Sequence, residues 1–363
     1  MSARPSRPSA QAALARTAAA APSPERQDYY RRIAPLGLAP LWESFGNLIT
    51  REPAQACVPY QWRYAELRGL LLESGGIISA QEAERRVLML ENPGLPGQGC
   101  VTQSLYAGLQ LVMPGEIAPC HRHAQSALRL VIEGRHAYTG VNGERIPMER
   151  GDFIITPAWS WHDHGNETQD PVVWLDGLDI PIVKFFGASF IERYPQESHP
   201  QTRPTGDTQA RYGAHLRPVG AGGGEGAAGR FPLWHYPYAR IRAALEQLRR
   251  GGEPHPRHGL KMEYVNPRDG GPAMATMSTF VQLLPKGFTG RPYRSTEGAV
   301  FCVLEGRGST EIASQRFAWG PSDVFVVPSW HPYRHEAAED AVLFSFSDRT
   351  VQEKLGLFRE QEE

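Results

Sequence analysis

Residues 113–123 read MPGEIAPCHRH and residues 151–166 read GDFIITPAWSWHDHGN, and together they hold four histidines in two pairs: His121 with His123, and His162 with His164. Successive side chains of a β-strand alternate faces, so the two members of each pair point the same way. Two such pairs on neighbouring strands offer three neutral imidazoles to one divalent metal and keep a fourth beside it. With twelve histidines in 363 residues, one HxH pair is an ordinary coincidence. Two pairs inside matching frames of glycine and proline point instead to a metal site. Cys120 directly precedes His121, but on a strand it faces away from the pair and is not expected among the ligands.

The surrounding sequence is strand-like. Residues 106–113, 127–132, 136–141, 153–156 and 171–175 are short apolar runs separated by Pro114-Gly115, Glu133-Gly134, Asn142-Gly143 and Gly151-Asp152. Asn-Gly between two such runs is a hairpin signal, and short strands at this spacing predict a sandwich or barrel. Further out the chain reads as helical. A run opens at Pro24-Glu25 and ends at Pro35-Leu36-Gly37, and a second helix covers residues 64–73. Ser79 with Glu82 forms a capping box that predicts a helix through Arg85, Arg86, Leu88 and Leu90, placing both arginines on a solvated face. Residues 192–230, with Pro195, Pro200, Pro204, Pro218 and the 220–229 glycine tract, read as a linker with a mobile centre. A helix over 238–250 follows, stopped by Gly251-Gly252.

The strand pattern then returns as a copy. VIEGR at 131–135 is echoed by VLEGR at 303–307, and GDFIITPAWSWHDH at 151–164 by SDVFVVPSWHPYRH at 322–335. This is a duplicated domain. In the copy Tyr293, Ser295 and Tyr333 stand where His121, His123 and His162 stood, and only His335, opposite His164, persists. Tyrosine and serine make a poor divalent-metal site, so one metal centre per chain is expected.

Composition narrows the function classes. A net charge of −1 gives no reason to expect nucleic acid or an anionic membrane as partner. No apolar run approaches the ~20 residues of a membrane span. Cys57, Cys100, Cys120 and Cys302 follow no disulfide or zinc-ribbon spacing, so free thiols and a cytoplasmic location are expected. The first ~25 residues, rich in Ala, Arg, Ser and Pro, lack a signal-peptide core and read as a disordered extension.

The two histidine motifs resemble those of the cupins: Gly115 before His121-x-His123, then Gly151, Pro157, His162 and Asn166. The chain is therefore similar to a bicupin, a mainly β protein of two jelly-roll β-barrels with an N-terminal helical segment and a connecting helix. The resemblance departs at one place. Where a glutamate ligand usually follows the HxH, this sequence has Ala127 and Leu128. That departure, with HRHAQSALRLVIEG at 121–134, YAGLQLVMPGEIAP at 106–119, AERRVLMLENPGL at 83–95 and YVNPRDGGPAMATM at 264–277, resembles the gentisate 1,2-dioxygenase family. That family also includes salicylate and 1-hydroxy-2-naphthoate dioxygenases. The similarity runs over about residues 28–350.

The resemblance implies an organisation of 1–25 extension, 26–98 helical segment, 99–191 metal-bearing cupin, 192–259 linker and helix, 260–350 second cupin without ligands, and 351–363 tail. It implies Fe(II) on His121, His123 and His162, with His164 as an acid–base or orienting residue and Arg129 directed at a substrate carboxylate. Arg85, Gln110 and Asp176 match pocket residues, and Tyr106 and Gly108 are candidates for shaping substrate choice. The implied reaction inserts O2 between the carboxyl- and hydroxyl-bearing carbons of gentisate, giving maleylpyruvate. Salicylate and 1-hydroxy-2-naphthoate are the alternative substrates, and a non-enzymatic metal-binding sensor is the alternative of another class. A homo-oligomer, by resemblance a tetramer, is expected. Strand alternation supports the role of Arg129, which lies six residues beyond His123 in an otherwise apolar run. A buried guanidinium without an anion is costly, and a substrate carboxylate supplies one. The structural alternative is an ion pair to Glu133 or Asp152. Gln110 reads equally as an edge-strand surface residue.

Overall fold

Apolar runs of alternating residues pair into four sheets in the computed structural model, which describes residues 21–216, 218–219 and 226–362. The first barrel has a six-stranded sheet in the order His235–Tyr236, Phe153–Thr156, Ala127–Glu133, Val172–Leu178, Tyr106–Val112, Val87–Met89. Its five-stranded partner runs Ile191–Arg193, Ile117–His123, His162–Gly165, Ala137–Val141, Glu144–Met148. The Asn142-Gly143 hairpin forms as expected, with both residues at positive φ (43° and 82°). The second barrel repeats the plan. A six-stranded sheet centres on Ala299–Glu305 and Ala341–Ser347, and a five-stranded sheet contains Tyr293–Ser295 and Tyr333–Ala337. Two jelly rolls from one duplicated sequence account for the four sheets.

The two six-stranded sheets pack face to face. Phe153 lies 5.4 Å from Phe344 and 4.6 Å from Tyr264, centroid to centroid. Gly177 lets Phe346 approach so closely that a Cβ there would sit 2.8 Å from its ring. Each barrel also borrows from the other's leading segment. The Tyr60–Trp62 strand, which precedes the first barrel, pairs with Val324–Val327 of the second, and the His235–Tyr236 strand, which precedes the second barrel, pairs with Phe153–Thr156 of the first. Ser104 donates to Asp348, and Thr276 donates reciprocally to Asp179.

The helices differ in part from expectation. Pro24–Ile33 and the turn ending at Gly37 form as read, and with Leu41–Leu48 they belong to a compact unit up to Glu52, separate from the unit Pro53–Glu363. The Tyr64–Ile77 helix runs four residues past its expected end. The helix capped by Ser79 is corrected: its side chain does accept from Glu82 N at 3.1 Å, but the helix stops at Ala83. Val87–Met89 becomes a strand beside Tyr106–Val112 because sheet pairing there outweighs local helical propensity. Of the segment read as a linker, Glu192 and Arg193 join the metal-bearing sheet as part of the strand Ile191–Arg193, and the Asp207–Tyr212 helix is pinned by Thr208 to the buried Glu144. The first twenty residues and residues 220–225 of the glycine tract, for which extension and mobility were expected, lie outside the described residues. Among the described residues no helix is long and apolar enough to cross a membrane, and all four cysteines are free and buried.

Candidate metal centre and substrate pocket

The antiparallel pairing of Ile117–His123 with His162–Gly165 sets His121 directly opposite His162. With His123 on the same face as His121, three ring nitrogens lie within 4.8 Å of one another. The His162 ring stands nearly perpendicular to the other two, with centroids 4.6 Å from His121 and 4.8 Å from His123, while His121 and His123 are tilted by 53° at 5.3 Å. Two of them are oriented from behind. His123 Nδ1 donates to Gln125 O at 2.9 Å and His162 Nδ1 to Ser160 O at 3.0 Å, which turns each Nε2 toward the common centre. Burial and neighbouring cations hold the imidazoles neutral. His121 is lowered to about 2 by burial, then Arg85 and His123, and His123 to about 4 chiefly by burial. His162 is also well below its ordinary value. Three neutral imidazoles with inward lone pairs and no carboxylate among them are a donor set that fits a first-row divalent metal. Cys120 is buried outside this group.

His164 lies next to the triad, its ring 5.8 Å from that of His162 and 5.0 Å from Trp174. Its Nδ1 is held 3.0 Å from Thr139 Oγ1, and its Nε2 is buried without a partner among the described residues. Thr139 was missed from sequence, although its counterpart Thr310 repeats the contact to His335 at 2.8 Å and signals its role.

Arg129 comes from the strand Ala127–Glu133 and is 3% exposed. Neither expected ion-pair partner is used. Glu133 binds Tyr64 and Arg68, and Asp152 binds His235 and the Tyr238 amide. Arg129 Nη1 instead donates to Thr156 Oγ1 at 2.6 Å, and its Nε stands 3.6 Å from Asp176 with no hydrogen bond. Asp176 takes a 2.9 Å bond from Trp174 Nε1. Burial raises Asp176 to about 6 against the opposing pull of Arg129.

Arg85 is not on a solvated helix face. It follows the tight turn at Glu84 (φ 54°) and donates to the carbonyls of Glu84 and Pro119, both at 2.8 Å. Burial and Arg129 lower it to about 10, so it stays charged at neutral pH. Gln110 is not an edge residue either. Its strand is flanked on both sides, it is 2% exposed, and its Nε2 has no partner among the described residues. Tyr106 and Gly108 share its face. A Cβ on Gly108 would lie 2.4 Å from Val87 Cγ1 and 2.9 Å from the Tyr106 hydroxyl. Trp159 and Trp161 carry Arg122 over their rings at 4.7 and 4.5 Å, a packing arrangement. Trp159 holds a left-handed φ of 62°, which explains a place where the cupin pattern has glycine.

Around the triad, then, Gln110 Nε2, Arg129 Nε and His164 Nε2 are buried without partners among the described residues, as is Ser160 Oγ behind His162. The Arg129 guanidinium stands beside Asp176, whose pKa is raised by burial, and Arg85 acts on the same carboxylate electrostatically. Such an arrangement has the chemistry to receive an anion carrying hydroxyl groups.

Residues 108–178 match the cupin domain model. Gentisate 1,2 dioxygenase 1 of Aquipseudomonas alcaligenes is 52% identical over 336 residues, covering 93% of this chain and 96% of that protein. The chain belongs to the gentisate 1,2-dioxygenase family. Members of this family are oxidoreductases that incorporate O2, and the relatives extend to the 1-hydroxy-2-naphthoate 1,2-dioxygenase of Nocardioides sp., 38% identical over 86% of this chain and 80% of that protein. The structure of salicylate 1,2-dioxygenase from Pseudoaminobacter salicylatoxidans with gentisate superposes with a TM-score of 0.86 at 32% identity, covering 94% of each chain. These family relatives are dioxygenases, which speaks against the sensor alternative.

Proposed function

We propose that this chain is an Fe(II)-dependent gentisate 1,2-dioxygenase, opening the ring between the carboxyl- and hydroxyl-bearing carbons to give maleylpyruvate. The observation that carries the reading is the set of unpartnered buried groups, Arg129 Nε, Gln110 Nε2 and His164 Nε2, beside three neutral imidazoles. His121, His123 and His162 would hold the iron, which when bound supplies the electronic route between ring and dioxygen. Both oxygen atoms of O2 end in the product, and the bond between the two substituted ring carbons breaks.

The chain's own residues bind and orient. Arg129 takes the substrate carboxylate through charge-assisted hydrogen bonds, and Arg85 adds positive potential from the rim. His164, kept neutral by burial and held at Nδ1 by Thr139, receives the phenolic proton at Nε2. Gln110 donates to a ring oxygen. Asp176 and Tyr106, neighbours near enough to raise the Tyr106 phenol further above its ordinary value, stand with Gly108 at the wall that sorts substrates. The similarity to naphthoate and salicylate dioxygenases supports those acids as second substrates. A homo-oligomer is part of the reading, supported by exposed Phe190 and Ile191 at the Ile191–Arg193 edge strand.

The test is anaerobic loading with Fe(II), then oxygen-electrode and ring-absorbance assays on gentisate, salicylate and 1-hydroxy-2-naphthoate. Gentisate is expected to give the highest kcat/KM with one O2 consumed per ring. No uptake with any of the three would overturn the reading.

A further inference from the structure

Trp174 is fully buried in the first barrel, where its ring fills space and its indole N–H needs an acceptor. That N–H donates to Asp176 Oδ1 at 2.9 Å, two residues along the same strand face. Arg129 Nε stands 3.6 Å from the same Oδ1 and does not hydrogen-bond it. Two donors compete for one oxygen, and the indole holds it. The ring also packs on His164, centroids 5.0 Å apart and planes tilted by 54°. Gln110 is its direct cross-strand neighbour.

The duplicated barrel supplies a control. Asp176 lies opposite Arg129 in the first barrel, and Ser345 lies opposite Phe301 at the same register in the second. Both ladders shift at the same point, beside which Trp174 faces Val131 and Leu343 faces Val303. Trp174, Asp176 and Arg129 have thus become Leu343, Ser345 and Phe301 in the barrel that lost its histidine triad. Leu343 is as fully buried as Trp174, so the fold accepts an aliphatic side chain at this place and packing does not require an indole. A neutral oxygen would also satisfy the indole N–H at a lower desolvation cost than a buried carboxylate. The Trp174–Asp176 bond belongs with the chemistry of the first barrel.

We infer that Trp174 is a positioning residue of the substrate pocket, whose indole N–H holds the Asp176 carboxylate off Arg129 while its ring braces His164. The consequence for catalysis rests on the function proposed above, in which Arg129 takes the substrate carboxylate and His164 the phenolic proton. Opposite charges this close and this well buried attract strongly. Once the indole N–H is gone, Oδ1 is free to close on Arg129 Nε as an ion pair. The closed pair then competes with the incoming carboxylate for one guanidinium. The brace acts separately, limiting the tilt of a ring that Thr139 holds at Nδ1 alone.

Trp174→Phe deletes the N–H and keeps a ring, and Trp174→Leu, with the side chain the second barrel carries there, deletes both. In the full-length iron-loaded protein, Trp174→Phe is expected to weaken anaerobic gentisate binding and to raise KM by about tenfold. Its kcat should stay within about threefold of wild type. Trp174→Leu should show the same weakening with a further fall in kcat of about tenfold. Asp176→Asn removes the charge that would close on Arg129, so in that background Trp174→Phe should weaken binding by less than about twofold. A crystal structure of substrate-free Trp174→Phe should bring an Asp176 oxygen to about 3 Å from Arg129 Nε. That distance needs neither gentisate nor turnover, so it separates failure of this inference from failure of the proposed activity. A pair still open in the variant, or a tenfold weakening that persists in Asp176→Asn, overturns the inference.

Discussion

Asp176 stands 3.6 Å from Arg129 Nε, close enough to attract it and too far to hydrogen-bond it. The pair is poised rather than closed. Its guanidinium is anchored on Thr156, its carboxylate on Trp174, and an incoming carboxylate can take the position that Asp176 leaves open. Arg129→Ala is therefore expected to raise KM for carboxylated aromatics by about 30- to 1,000-fold, the worth of one bidentate charge-assisted contact. Iron content should not change. Wild-type kinetics in that variant would return Arg129 to a structural role.

The same pair gives a pH signature. Asp176 is raised from 3.8 to about 6 by burial, with Arg129, Trp174 and Arg85 opposing. A carboxyl whose folded pKa is raised costs stability above that pKa, and the cost disappears as pH falls from about 6 toward 3.8. Replacing it with a neutral isostere, Asp176→Asn, should shift the stability difference from wild type by roughly 2–3 kcal/mol in favour of the variant between pH 4 and pH 7. Denaturant titrations of metal-free protein at both pH values measure this. A difference independent of pH would show that Asp176 is ionised throughout.

Metal binding rests on neutral histidines. His121→Ala and His162→Ala should each lose stoichiometric iron and oxygen uptake together, measured by elemental analysis and the oxygen electrode. An iron-replete, active variant would remove that residue from the ligand set. In wild type, His121 at about 2 and His123 at about 4 resist protonation that the unfolded chain accepts near 6.5. Metal-free protein should accordingly lose the stability these groups contribute as pH falls below about 6.5.

Thr139 acts through His164. Thr139→Val keeps shape but removes the contact to Nδ1, freeing the ring's tautomer and tilt. The expected result is about a tenfold drop in kcat with a displaced pH–rate profile and unchanged iron content. An unaltered profile would make the threonine a packing residue only.

Gly108 is narrow for a steric reason. Gly108→Ala places a Cβ 2.4 Å from Val87 Cγ1, so the Val87 side chain must shift at a cost of about 1–3 kcal/mol. Thermal unfolding should register this loss. The ratio of kcat/KM between gentisate and 1-hydroxy-2-naphthoate should shift as well, since the displaced Val87 and Tyr106 line the same wall. Unchanged stability and an unchanged ratio would mean the wall yields freely.

Much of this protein was determined by local pattern. The HxH spacings put paired histidines on one strand face whatever the rest of the chain does, and the Asn-Gly and Gly-Asp turns bound the strands around them. The near-constant offset between copies gave two barrels, one of them without ligands. The strand at Val87–Met89 was not legible, because residues 79–90 carry helical signals that only pairing with Tyr106–Val112 overrides. For the same reason Arg85 read as a surface residue and Gln110 as an edge one. Partners far apart in sequence were equally hidden: Arg129 with Thr156 and Asp176, His164 with Thr139, Ser104 with Asp348. Alternation tells which face a side chain takes, and that is a property of the strand alone. Which atom meets it there depends on register and on how the sheets close, and only the tertiary structure decides that.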